Sequence, residues 1–294
     1  MLRTGFGRTG LEVPSLGFGA MQAGDLGLDE AEVASLLNRV VDLGITLIDT
    51  ARSYGLSEER IGRHLAHRRR EFTLSTKVGY GVPGIPDWTG PCITAGVEAA
   101  CRRMQTDVID IVHLHSCPLA TLQAGEVIEA LLRCRDQGKL RAAAYSGDGA
   151  ALDYAVHCGA FDSVQASVSL LDQSNLAVLA AARARGLGVI AKRPLACRPW
   201  ALTQEPDDAV AREYLRRFAL LAPELALQPT DWDGFSLRFA AGAPEVDCCL
   251  CGSSSSRHVE HNLRIIAAGA LPDAEAQALR DVFARIGSGW PAQV

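Results

Sequence analysis

Three apolar runs in this chain of 294 residues end in side chains suited to acid–base chemistry. Gly44-Ile-Thr-Leu-Ile-Asp49 closes on a carboxylate, Phe72-Thr-Leu-Ser-Thr-Lys77 on an ammonium and Ile109-Asp-Ile-Val-His-Leu-His115 on an imidazole. Tyr54 follows the first run at once, in Asp49-Thr-Ala-Arg-Ser-Tyr54-Gly. A free tyrosine titrates near ~10, too high for efficient proton donation at neutral pH, but an adjacent ammonium stabilises the phenolate and lowers that value. A carboxylate keeps such a lysine charged where burial would otherwise strip its proton. An imidazole can orient and polarise a carbonyl oxygen. Together these four groups describe proton delivery to the oxyanion that forms from an aldehyde or ketone. Singly, each has a plainer reading: Asp49 bonds loop amides, Tyr54 caps a rim, Lys77 reaches solvent. Their joint placement at three successive strand ends favours chemistry.

For these groups to meet, the strands must lie side by side and parallel. Alternation puts Ile45, Leu47 and Asp49 on one face, then Thr73, Ser75 and Lys77, then Ile109, Ile111, His113 and His115. His113, one layer below His115, reads as a hydrogen-bonded core residue, and His64, His67 and His157 as surface or helix residues. Strands are expected at Leu16–Gly19, Thr46–Asp49, Thr73–Lys77, Ile109–Leu114, Leu140–Ala144, Ser163–Ala166, Gly188–Ala191 and Val246–Leu250. Helices are expected at 29–43, 57–66, 92–104, 124–137, 149–158, 175–185, 231–241 and 256–268. Asp29 and Ser57, each followed by acids, read as capping side chains, and Gly138, Gly159 and Gly186 as helix stops.

Eight alternating pairs with no compositional break predict an α/β fold: one domain over 1–294, a parallel (β/α)8 TIM barrel with the four groups at its mouth. A doubly wound sheet with fewer units is the rival. Leu2–Val13, with Gly10 near its centre, predicts an N-terminal β-hairpin plugging the barrel floor. Residues 195–230, with Trp200 and an Arg-rich helical piece, predict an excursion over the active face.

A net charge of −5 and a pI near 5.8 argue against nucleic-acid or membrane-surface partners, and Arg68-Arg69-Arg70 reads as a solvated helix end. No apolar run is long enough to span a bilayer. Nine cysteines without regular spacing suggest reduced thiols in a cytoplasmic protein. The tightest group, Cys248-Cys249-Leu-Cys251, has too few partners for zinc and reads as buried and apolar, with Cys249 and Cys251 on one face; no metal is expected. Only three of the 29 basic residues are lysines (Lys77, Lys139 and Lys192), so a lysine at a strand end invites a chemical explanation.

On Asp49-Thr-Ala-Arg-Ser-Tyr54-Gly-Leu-Ser-Glu-Glu-Arg-Ile-Gly62, Ser75-Thr-Lys77 and the Asp110…His115 strand, the chain resembles the aldo-keto reductase superfamily nearly end to end. The resemblance implies a barrel that binds a nicotinamide cofactor without a Rossmann domain; Gly17-Phe-Gly19-Ala-Met-Gln22 lacks the third glycine of a dinucleotide fingerprint. It implies Tyr54 as proton donor, Asp49 and Lys77 tuning it, and His115 orienting a small-molecule carbonyl or alcohol. Cofactor contacts implied by it are Ala20, Met21, Asp49, Ser146, Gln165, Lys192, Arg193 and Leu195. A second group is Gly252, Ser253, Ser254, Arg257, His258 and Asn262 in the last βα unit, which resembles an adenosine-phosphate site at a helix N-terminus. Gln165 and Ser146 fit the carboxamide, although the family's Ser-Asn is Ser146-Gly147 here. Lys192 stands where an aromatic commonly stacks, either covering the ring with its stem or leaving Arg193 to meet the pyrophosphate. Arg257 favours NADP(H), with NAD(H) possible. Trp88 and Trp200 are candidate walls of an apolar substrate pocket or, equally, loop anchors. The leading expectation is a reductase of aldehydes or ketones, or the reverse. The alternatives are a non-catalytic NADPH-binding or redox-sensing barrel and a lyase using Lys77 as Schiff-base nucleophile.

Overall fold

The computed structural model describes residues 3–226 and 229–293. Strands β1 (Arg3–Gly5) and β2 (Glu12–Pro14) form an antiparallel hairpin; Leu2 lies outside the described residues. Eight further strands follow: β3 (Leu16–Gly19), β4 (Leu47–Asp49), β5 (Thr73–Val78), β6 (Ile109–His115), β7 (Leu140–Ser146), β8 (Ser163–Ser167), β9 (Gly188–Lys192) and β10 (Cys248–Gly252). Each pairs in parallel with its sequence neighbour and β10 pairs back onto β3, closing the barrel that the alternating pattern predicts. The doubly wound rival is thereby excluded.

The two faces of each strand have different partners. Leu47, Ile111, Ala142, Ala144, Ile190, Cys248 and Leu250 point inward and meet Phe6, Leu11 and Val13 from the hairpin, which plugs the barrel floor as expected. Gly188 makes room for this plug: a Cβ there would lie 2.5 Å from the Phe6 ring. The outward residues, among them Ile48, Leu74, Val112, Val164 and Cys249, pack under the helices. Cys248 and Cys249 thus face opposite ways, Cys251 sits with Cys249, and all nine cysteines are unpaired.

The surrounding helices are α1 (Glu30–Asp42), α2 (Ser57–Leu65), α3 (Gly90–Met104), α4 (Leu119–Ala124), α5 (Glu126–Asp136), α6 (Gly149–His157) and α7 (Leu176–Ala184). They continue with α8 (Ala209–Leu221), α9 (Trp232–Ala241), α10 (Ser256–Ala267) and α11 (Asp273–Ile286). In α1, Val33, Leu36, Leu37 and Val40 recur at helical spacing and are buried, and Asp29 accepts from the Ala31 and Glu32 amides as its cap. No helix among the described residues is long and apolar enough to cross a membrane.

Three sequence expectations need correction. Ser57 does not cap α2; its hydroxyl donates to the Ala20 carbonyl at 2.8 Å and accepts from Thr50 at 2.7 Å, tying two active-face loops together. Arg68-Arg69-Arg70 do end a short helical turn, with Arg70 exposed, but Arg68 and Arg69 are only partly solvated: Arg68 pairs with Asp42 and Glu71, while Arg69 reaches Asp110 and the Val108 carbonyl on the barrel's lower side. Helices α4, α8 and α11 add to the eight expected by range, α8 being the Arg-rich helical piece of the excursion. The excursion over 195–230, whose residues 227 and 228 lie outside the described set, carries α8 and joins α9 and α11 in a second apolar cluster around Tyr214, Phe235 and Phe283.

Candidate active site

The register of three neighbouring strands sets the site. Asp49 ends β4 opposite Ser75, and Lys77 on β5 lies opposite His113 on β6. Lys77 Nζ donates to Asp49 Oδ2 at 2.5 Å and to the Thr50 carbonyl at 2.9 Å, and stands 4.9 Å from the centre of the Tyr54 ring. Lys77 and Asp49 are both almost wholly buried. Burial alone would lower the lysine's pKa, but attraction to Asp49 and to Tyr54 more than offsets it and the group titrates above its ordinary value. Asp49 Oδ1 accepts from Ser75 Oγ at 2.7 Å, and Ser75 meets His113 Nε2 at 3.1 Å. A polar chain therefore runs from the barrel core to the mouth. Burial, with Lys77 and Lys192 adding repulsion, lowers the His113 pKa to about 4.

His115 ends β6 with its ring edge-on to Tyr54, centroids 6.1 Å apart. Burial lowers its pKa to about 2, reinforced by Lys77, Lys192, His113 and Arg193, so the imidazole is neutral at physiological pH. Its Nδ1 lies 2.7 Å from the hydroxyl of Tyr80, a residue of the loop after β5 that sequence reasoning passed over. A tyrosine three residues beyond the strand-ending lysine was the available signal.

These groups open onto a cavity of about 620 Å³. Its wall includes Asp49, Tyr54, Lys77 and His115, together with Met21, Ser146, Gln165, Lys192, Arg193, Leu195 and Gly252 of the expected cofactor set. Ala20 sits behind it, buried, its amide donating to the Asp49 carbonyl. Ser253, Ser254, Arg257, His258 and Asn262 are not part of this wall: the two serines lie in the β10–α10 turn and the other three on α10, with Ser253 Oγ 3.3 Å from His258 Nδ1. The wall also holds Gln22, Ser116, Cys197 and Arg198, which the sequence did not single out.

Lys192 binds Asp148 Oδ2 at 2.8 Å, an acid just past β7 that also accepts from the Ser167 amide and Asn175. Burial lowers the Lys192 pKa. Arg193 is committed elsewhere: Nη1 donates to Ser167 Oγ and, at 2.7 Å, to the Gln293 carbonyl of the C-terminal segment. The unusual Gly147 has a local cause, because a Cβ there would fall 2.3 Å from the Tyr145 hydroxyl. Neither candidate tryptophan lines the cavity. Trp88 covers Gly79 and meets Tyr80 edge-on; Trp200 stacks on Trp232 and donates to Asp233, which makes it a loop anchor.

The residues fit a nicotinamide. Ser146 Oγ donates to Gln165 Oε1 at 2.9 Å, which aims the Gln165 amide, and Gln165 Nε2 is buried beside the cavity without a hydrogen-bond partner. Such an orphaned donor is costly unless a ligand acceptor completes it.

Comparisons with known proteins bear on the chain as a whole. The Aldo/keto reductase family model matches residues 15–283. L-galactose dehydrogenase of Arabidopsis thaliana is 26% identical over 88% of this chain and 86% of that enzyme. An uncharacterised oxidoreductase of Bacillus subtilis, YqkF, is 25% identical over 95% of this chain and 96% of its own. The holo form of an aldo-keto reductase from Bacillus halodurans superposes with a TM-score of 0.82 at 28% identity, covering 96% of both chains. With a closed barrel, a matching model over most of its length and relatives that are oxidoreductases, the chain belongs to the aldo/keto reductase family.

Proposed function

We propose that this oxidoreductase reduces an aldehyde or ketone to the alcohol, or runs the reverse oxidation, with Tyr54 as proton donor. The observation that carries the reading is the buried ammonium of Lys77, pinned by Asp49 and Thr50 beneath the Tyr54 ring at the cavity wall. An ammonium held there stabilises the phenolate left when Tyr54 gives up its proton. Asp49, fixed by Ser75, keeps that ammonium in place. Neutral His115 donates a hydrogen bond to the carbonyl oxygen and so sets which face is attacked.

The nicotinamide, when bound, supplies the hydride to the carbonyl carbon. Gln165 and Ser146 would hold its carboxamide, and the serine-rich turn at the start of α10 would hold its adenosine phosphates. Arg257, exposed and in none of the ion pairs among the described residues, supports NADP(H) over NAD(H). The unpaired thiols suit a reducing compartment such as the cytoplasm.

The lyase alternative fits less well, because an ammonium stabilised by Asp49 is a poor nucleophile. Tyr54→Phe is expected to lower turnover by about 10²–10⁴-fold, the usual worth of a positioned proton donor. NADPH affinity, read by fluorescence titration, should stay within about twofold. Retained turnover would remove Tyr54 from this role, and tight NADPH binding with no turnover over a broad carbonyl panel would favour the non-catalytic alternative.

A further inference from the structure

We propose that Tyr80 is a positioning residue whose hydroxyl donates to His115 Nδ1 and fixes the imidazole in the tautomer that presents Nε2–H to the cavity. The inference deepens the reading above, since it acts through His115. It rests on the arrangement of four side chains around one proton.

Tyr80 Oη stands 2.7 Å from His115 Nδ1 and 3.2 Å from Ser53 Oγ. A phenol has one proton to give and a neutral imidazole has one to place. If Tyr80 gave its proton to Ser53, Nδ1 would have to carry the imidazole's proton to keep the short contact. Nε2 would then face the cavity as a lone pair, repelling a carbonyl oxygen. If Tyr80 donates to Nδ1, the Ser53 hydroxyl can donate back to the phenol oxygen, and Nε2–H is left for the substrate. The 2.7 Å contact selects the second arrangement, because that length is ordinary for an O–H donor and short for an N–H donor.

The surroundings hold Tyr80 for this task. Its ring stacks on His115 with centroids 5.5 Å apart and planes 25° apart, and its other side meets the edge of Trp88. Trp88 is itself locked, its amide bonded to the Gly79 carbonyl at 2.8 Å and its ring filling the space a side chain at 79 would need. Burial raises the Tyr80 pKa, which keeps the phenol a donor. Burial and the cations Lys77, Lys192 and Arg193 keep the imidazole neutral, so its tautomer, and not its charge, is the variable that Tyr80 controls. Ser53 also precedes Tyr54, so one hydroxyl links the loop carrying the proton donor to the group that orients the carbonyl.

The test is a long-range ¹H–¹⁵N spectrum of the full chain labelled at histidine, recorded at pH 7.5 without cofactor or substrate. The His115 signals are identified by their loss in His115→Gln. The wild type is expected to show an unprotonated Nδ1 and a protonated Nε2. Tyr80→Phe, which keeps the stacked ring, is expected to move both nitrogens toward a mixed-tautomer average, whereas Ser53→Ala leaves the wild-type pattern. A protonated Nδ1 in the wild type, an unchanged pattern in Tyr80→Phe, or an equal change in Ser53→Ala would overturn the inference. These spectra need no turnover, so the tautomer stands or falls separately from the reductase reading. With a carbonyl substrate, Tyr80→Phe should lower kcat/KM about tenfold, or ~1.4 kcal/mol. The same change in a His115→Gln background should cost less than about twofold, and a full tenfold loss there would show that Tyr80 acts by another route.

Discussion

Lys77 and His113 lie opposite each other on β5 and β6 inside the barrel and answer burial in opposite ways. Lys77 has a carboxylate in contact and stays charged; His113 has only the Ser75 hydroxyl and a buried, unpartnered Nδ1, and stays neutral. The histidine therefore carries a pH signature. Its folded pKa, about 4, lies below the ordinary 6.5, so the unfolded chain takes up a proton first as pH falls. The associated stability is present above pH ~6.5 and is lost as pH falls toward ~4. Between pH 7.5 and 5 this group alone should cost about 2 kcal/mol. Urea unfolding at both pH values should show a shallower dependence for His113→Gln than for the wild type. Parallel dependences would mean that His113 is protonated in the fold.

Among the elements, the two loops that follow β3 and β4 matter most, because one carries Met21 and Gln22 and the other Tyr54. They are built against each other. Arg60 of α2 donates to the carbonyls of Ala23, Asp25 and Leu28, and the Leu56 amide donates to the Gly24 carbonyl. Contact is closest at Gly24, where a Cβ would fall 1.6 Å from the Tyr54 carbonyl oxygen. Backbone cannot rotate away as a side chain can, so Gly24→Ala must push the Tyr54 loop aside. We expect an overpacking cost of about 1–3 kcal/mol in thermal or urea unfolding, and at least a tenfold fall in kcat as Tyr54 leaves Lys77. Unchanged turnover would show that the loop tolerates the shift.

At the scale of the molecule, the C-terminal segment closes the structure over the loop after β8. Arg217 of α8 is fully buried and donates to the carbonyls of Leu171 and Pro291 and to Glu213, with the Trp290 ring 5.3 Å from its guanidinium. Gln293 in turn receives Arg193 from the cavity wall. Truncation after Gly287 would strand a buried cation short of one acceptor and leave Arg193 with Ser167 Oγ alone. The expected loss is about 1–3 kcal/mol in urea unfolding, accompanied by a change in NADPH affinity because a wall residue is released. A truncated chain with wild-type stability would show that the segment merely rests on the surface.

Hydrophobic periodicity made much of this architecture readable before any coordinates. Two-residue alternation and helical spacing are local properties, so the eight strands, their inward faces and the placement of Asp49, Lys77 and His115 at one rim followed from the sequence. Side chains whose partners lie far along the chain were not readable in this way. Arg193 meets Gln293, Trp200 meets Trp232 and Asp233, Ser57 reaches back to Ala20, and Arg69 crosses to Asp110. Tyr80 escaped notice for the same reason: in sequence it is one loop residue, and only the stacking of that loop on β6 brings its hydroxyl to His115. The chain's own pattern determined which groups could gather. Tertiary packing decided which of them touch, because contact depends on the course of loops and on rotamers selected by neighbours that local periodicity does not encode.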